Sequence, residues 1–118
     1  MIWRPKFCAY GAFPRVLGRY VHDLGALTLE EAIHRMSAVA ANEIMAYDRG
    51  RLAPGLVADV VIFDPNTVRD RATFGEPHPP SEGMKYVIVN GALVIEEGKY
   101  TGAAPGKVLR GPGYRGGN

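Results

Sequence analysis

The eight residues from Leu56 to Phe63 constrain this chain more than any others. Leu-Val-Ala-Asp-Val-Val-Ile-Phe is apolar everywhere except at Asp59. Its valines and isoleucine favour a strand. A strand with one wet face alternates polar and apolar residues, whereas an unbroken run reads as a strand buried on both faces. Such a strand needs sheet neighbours and a cover on each side. The chain has 118 residues, enough for one domain at most, and few other elements are available for that task.

The rest of the second half reads as turns and short strands. Pro54-Gly55 is a turn signal and Asp64-Pro65-Asn66 ends the apolar run. A proline- and charge-rich loop follows from Arg69 to Gly83. Then Tyr86-Val87-Ile88-Val89 and Leu93-Val94-Ile95 flank Asn90-Gly91. Two such residues between apolar runs predict a type I′ hairpin, because both must take positive φ. Glu97-Gly98 marks one more reversal. Residues 102–118 contain six glycines and two prolines, a composition that suits a poorly ordered tail or an extended arm.

The first half is helical. Phe13, Val16, Leu17, Tyr20, Val21 and Leu24 recur at steps of three and four. Pro14 stands where a first helical residue tolerates proline, and Gly25 where a helix stops. Gly18, inside that helix, costs about 1 kcal/mol against alanine, so close backbone packing is the expected reason for it. Thr28 and Glu31 have the spacing of a capping box. Leu29, Ala32, Ile33 and Met36 make one apolar face, and a short third helix is expected over Ala40 to Met45. These helices end near Asp48-Arg49-Gly50.

Apolar residues make up 47% of the chain and the net charge is +2 with both signs interspersed. This argues against wholesale disorder and offers no electrostatic case for nucleic acid or a membrane surface. No stretch has signal-peptide or bilayer-spanning length. The single cysteine, Cys8, excludes an internal disulfide and fits a reducing compartment. A cytoplasmic protein is the expectation.

Candidate chemistry is sparse. His22 and His34 fall on separate predicted helices and His78 in a loop. No metal-ligand spacing joins them; surface or capping roles are expected for the first two and a structural hydrogen bond for His78. Cys8 has no nameable His partner and reads as a plain thiol. Asp59 interrupts the apolar strand, and a carboxylate there needs an arginine or backbone amides, so it reads as a structural lock. Arg15 and Arg19 lie one helical turn apart. They could take a substrate carboxylate, with a solvated helix face as the commoner outcome. Tyr114-Arg115-Gly116-Gly117 faintly resembles an arginine-glycine element of RNA binders, but one copy reads as a solvated tail.

Several phrases stand in a fixed order: Tyr10-Gly11-Ala12-Phe13-Pro14-Arg15-Val16-Leu17-Gly18-Arg19-Tyr20-Val21, Leu29-Glu30-Glu31-Ala32-Ile33, Asp48-Arg49-Gly50-Arg51-Leu52 with Pro54-Gly55, Ala58-Asp59-Val60-Val61-Ile62-Phe63-Asp64-Pro65, Asp70-Arg71-Ala72-Thr73-Phe74 with Pro77-His78, Gly83 to Gly91, and Thr101-Gly102 to Arg110. The series resembles the C-terminal part of the D-aminoacylase (N-acyl-D-amino-acid deacylase) family of the amidohydrolase superfamily. One departure stands at Lys6-Phe7-Cys8, where that family commonly has His-Pro-Arg.

The resemblance implies an α+β piece: terminal helices of a (β/α)₈ barrel over residues 1–50, C-terminal strands of a small β-sandwich over 51–101, and an extended or flexible tail over 102–118. It implies hydrolysis of N-acyl-D-amino acids, with zinc for the full-length family. The family's His and Cys ligands and its catalytic Asp should precede the phrase at Tyr10, so no catalytic, metal or substrate-binding residue carries over to this chain. The expectation is a fragment that is inactive alone, lacking its own cofactor and partnered by the missing barrel region or by itself. The alternative is a stand-alone structural or binding module that pairs with a separate barrel-bearing chain.

Overall fold

A computed structural model describes residues 8–71 and 82–116. Two helical rods precede an antiparallel meander. The first rod is α1 (Cys8–Arg15), continued as a wider π-helix, π1 (Val16–Asp23). The second is α2 (Leu29–His34), π2 (Arg35–Val39) and α3 (Ala40–Glu43). Strands β1 (Val60–Phe63), β2 (Met84–Val89), β3 (Ala92–Glu96) and β4 (Lys99–Tyr100) follow. They form one sheet in the order β1-β2-β3-β4.

Pro14 is not the first helical residue. It lies inside α1, near its end. A proline there removes one donor and crowds the preceding turn, and the helix widens two residues later. At its far end Leu24 N–H reaches back five residues to Arg19 C=O at 3.0 Å, the π spacing. The expected apolar stripe is accordingly only half covered. Leu17 is buried, and Val16 and Val21 pack around it, while Phe13, Tyr20 and Leu24 are exposed.

The second rod begins as the capping residues predict, but with half the box. Thr28 Oγ1 accepts from Glu31 N–H at 3.1 Å. The Glu31 carboxylate turns the other way and meets Arg35 at 2.5 Å, one turn along the helix. The break expected between the second and third helices is absent, since backbone angles stay helical through Arg35, Val39 and Ala40.

Both two-residue turns form as read. Asn90 and Gly91 have φ of 49° and 79°, and Glu97 and Gly98 have 47° and 77°; paired positive φ values are the type I′ pattern. The first turn sets Val89 opposite Ala92, and the second sets Glu96 opposite Lys99. Residues 102–116 form no regular element. They run as an arm tacked to the sheet where Asn90 Nδ2 donates to Pro105 C=O at 2.7 Å. Further out Arg110 stacks 4.3 Å from the Tyr114 ring centroid.

The apolar run departs most from expectation. Only Val60–Phe63 is strand. Val61 and Ile62, on opposite faces by the alternation of strand side chains, are each 50% exposed. Among the described residues the strand is open on both sides, and it is also the edge of its sheet.

The buried core consists of Leu17, Ala32 and Val68, ringed by partly buried Leu27, Leu29, Met36, Phe63 and Met84. It sits where the helical rods meet the ends of β1 and β2. The chain exposes 8867 Å²; a compact monomer of its 12.8 kDa exposes about 6,300 Å².

Candidate functional site

Val68 occupies the centre of the polar stretch that follows β1. Its N–H bonds to Asp64 C=O at 2.9 Å, and Asp64 Oδ1 accepts from Asn66 N–H at 2.9 Å. This local turn folds Val68 back into the core, where it is 1% exposed. Two glycines make room for it. A Cβ on Gly18 would stand 2.4 Å from Val68 C=O, and one on Gly83 would stand 2.4 Å from Val68 Cα. The close packing expected at Gly18 is therefore the contact between π1 and this turn.

That contact carries the loop's side chains to the first helix. Arg15 reaches Asp70 with Nε at 2.7 Å and a terminal guanidinium nitrogen at 2.6 Å. The Asp70 carboxylate is 3% exposed, so Arg15 is held by a buried partner and does not lie on a solvated face. Arg19 is solvated, with Asp23 3.7 Å away. Arg69 and Glu82 exchange two backbone hydrogen bonds, at 3.1 and 2.9 Å, which fixes the backbone beneath Arg69. Arg15, Arg19 and Arg69, with Asp23, Asp70, Gly18 and Tyr20, line a shallow cleft of about 370 Å³. The hydrogen bond from His22 at 3.1 Å, with the nearby positive charge of Arg69 and Arg19, holds the Asp23 carboxyl below its usual pKa against a smaller opposing effect of desolvation.

Asp59 is a lock of the kind its position implied, although it is exposed and lies one residue before the strand. Its Oδ2 takes the Arg49 guanidinium at 2.6 Å, and its Oδ1 takes the Asn90 backbone N–H at 2.8 Å. Gly91 N–H donates to the neighbouring Ala58 C=O at 2.9 Å. Ala58-Asp59 thus grips the tip of the β2–β3 hairpin. On the far strand Tyr86 donates its hydroxyl hydrogen to Glu97. That bond, together with desolvation and the charge of Glu97 and Glu96, raises the phenol pKa.

The remaining sequence candidates do not converge. His22 and His34 are exposed, and His22 meets only Asp23. The Cys8 side chain and His78 lie outside the described residues. Among the described residues no three His, Cys, Asp or Glu side chains gather to hold a metal ion. The residues that sequence reasoning missed are Val68 and Asp70. Their burial depends on partners distant in sequence, Gly18 and Gly83 for Val68 and Arg15 for Asp70, and the one local signal was the turn chemistry of Asp64-Pro65-Asn66.

Comparison with known proteins gives consistent relatives. Residues 7–95 match the amidohydrolase family. The chain is 45% identical over 106 residues to a D-aminoacylase of Alcaligenes xylosoxydans xylosoxydans, across 90% of this chain and 22% of the relative. It is 48% identical over 101 residues to an N-acyl-D-glutamate deacylase of the same organism, across 86% of this chain and 20% of the relative. A crystal structure of D-aminoacylase superposes with a TM-score of 0.74 at 46% identity, over 77% of this chain and 19% of that one. The N-acyl-D-glutamate deacylase of Bordetella bronchiseptica, complexed with zinc and a phosphonate inhibitor, gives 0.74 at 52% identity, over 77% and 19%. The chain thus spans about a fifth of the length of these relatives.

Proposed function

The chain belongs to the amidohydrolase family, and we propose that it is the C-terminal part of a metal-dependent hydrolase that splits N-acyl-D-amino acids into a carboxylate and a free D-amino acid. One observation carries this reading. Identity of 45–48% runs through most of this chain and ends on relatives with that named activity, while covering only about a fifth of them. The helices of residues 1–50 would close the barrel of such an enzyme, and the strands of 51–101 would complete its small sandwich. What supports that division is β1, whose exposed faces and free edge need cover that the described residues do not supply. A cytoplasmic setting accords with the single cysteine; among the described residues no helix is long and apolar enough to cross a membrane.

The zinc of the Bordetella relative has no counterpart donor set among the described residues. In this reading the chain contributes structure, and the metal ligands and catalytic residues come from the rest of the enzyme. Purified chain supplied with zinc should leave N-acetyl-D-amino acids intact. Turnover that a chelator abolishes would sink this reading.

The same open strand favours a second reading, a separate module that docks on a barrel-bearing polypeptide, because unpaired strand edges seek partners. Pull-down against cell extract separates the two: a discrete barrel-containing partner favours the module.

A further inference from the structure

The cleft beside Gly18 gathers charged side chains from the first helix and the turn after β1. Among the described residues three arginines and two carboxylates line it. Asp70 is spent on Arg15 and hidden from solvent at 3% exposure. Asp23 shares its carboxylate between His22 at 3.1 Å and Arg19 at 3.7 Å, the second beyond hydrogen-bond reach. Arg69 has a fixed backbone; its charge acts on Asp23, while among the described residues its guanidinium makes no side-chain hydrogen bond. Arg19 and Arg69 belong to elements that touch only because position 18 has no Cβ to strike Val68. Two loosely held guanidiniums beside Tyr20, with one more arginine than carboxylate among the described lining residues, match one small oxyanion.

We propose that this cleft binds a carboxylate or phosphate group between Arg19 and Arg69, with Arg15 held behind them by Asp70. Planar guanidiniums present paired N–H donors that fit the spacing of two oxygens on one anion. The incoming anion competes with Asp23 for both Arg19 and Arg69, and the Asp23 hydrogen bond to His22 remains. The proposal does not depend on the hydrolase reading, because every group in it is on this chain.

The test follows arginine Nε–Hε resonances of the full chain during separate titrations with inorganic phosphate and with acetate, at constant ionic strength set by sodium chloride. Saturable shifts at Arg19 and Arg69 are expected. Arg35, paired with Glu31 on the other rod, should not saturate. Phosphate saturating at lower concentration than acetate identifies a phosphate site, and the reverse a carboxylate site. Arg69→Gln should remove saturation at Arg19, and Arg69→Lys should weaken it several-fold; backbone spectra confirm that each variant is folded. Shifts that rise without saturating, or equally at Arg35, mean screening only and overturn the proposal. So does saturation that survives in Arg69→Gln.

Discussion

Gly18 and Val68 show how one missing side chain organises this chain. Alanine at position 18 gains about 1 kcal/mol in helix propensity, yet its Cβ would meet the Val68 carbonyl oxygen at 2.4 Å. Backbone cannot retreat as a flexible side chain does, and overpacking of this kind costs about 1–3 kcal/mol. Gly18→Ala should therefore lower the denaturant midpoint, in opposition to its propensity. Asp70→Asn tests the neighbouring clamp. Removing one partner of a buried pair costs about 3–5 kcal/mol when both are fully desolvated. Arg15 keeps 32% exposure, so a loss of about 1–2 kcal/mol is expected, read from urea unfolding. A loss near zero would contradict the clamp.

Two titrating residues give opposite pH signatures. The Asp23 pKa is lowered from 3.8, first by the His22 hydrogen bond. Its contribution to stability is complete above that ordinary value and is lost as pH falls through the lowered one. The Tyr86 pKa is raised from 10.0, first by its bond to Glu97. That contribution is complete below 10.0 and is lost as pH rises through the raised value. Asp23→Asn should flatten the acid limb of the stability curve and Tyr86→Phe the alkaline limb. Unchanged limbs would count against both assignments.

At the scale of elements, what was legible in the sequence is what a residue type dictates locally. Asn90-Gly91 and Glu97-Gly98 specify their turns because few residues accept positive φ. Thr28 starts its helix because its hydroxyl serves an orphan amide. Asp59 demanded an arginine or an amide and received both. The rest depends on distant partners. Nothing near Asp70 announces Arg15, which lies 55 positions earlier. The π-helical turns and the place of Pro14 inside α1 reflect how the rods pack, and no periodicity of 3.6 encodes that. The hairpin grip is testable: Gly91→Ala forces an L side chain to φ of 79° and should cost about 1–2 kcal/mol. Because Ala58 and Asp59 hold this tip, hydrogen exchange should quicken in β2 and β3 together.

At the scale of the whole molecule, the three buried core residues among the described ones are few against the conformational entropy of a chain of this size. The apolar strand was written for cover on both faces, and here both are half exposed. The isolated chain should therefore unfold broadly at modest temperature or self-associate through β1. Val61→Lys with Ile62→Thr should reduce that association by placing charge and polarity at the open edge. A sharp transition at high temperature from a clean monomer would contradict this. On the reading proposed above, the exposed apolar residues of β1 are covered by the remaining parts of a larger enzyme.

Reconstitution tests that claim most directly. The Alcaligenes D-aminoacylase, deleted of the segment this chain matches, would be mixed with this chain and zinc and assayed on N-acetyl-D-amino acids. The account predicts that each polypeptide is inactive alone, that the two co-elute, and that hydrolysis returns in the mixture. Turnover by this chain alone, or two polypeptides that neither bind nor react together, would contradict it.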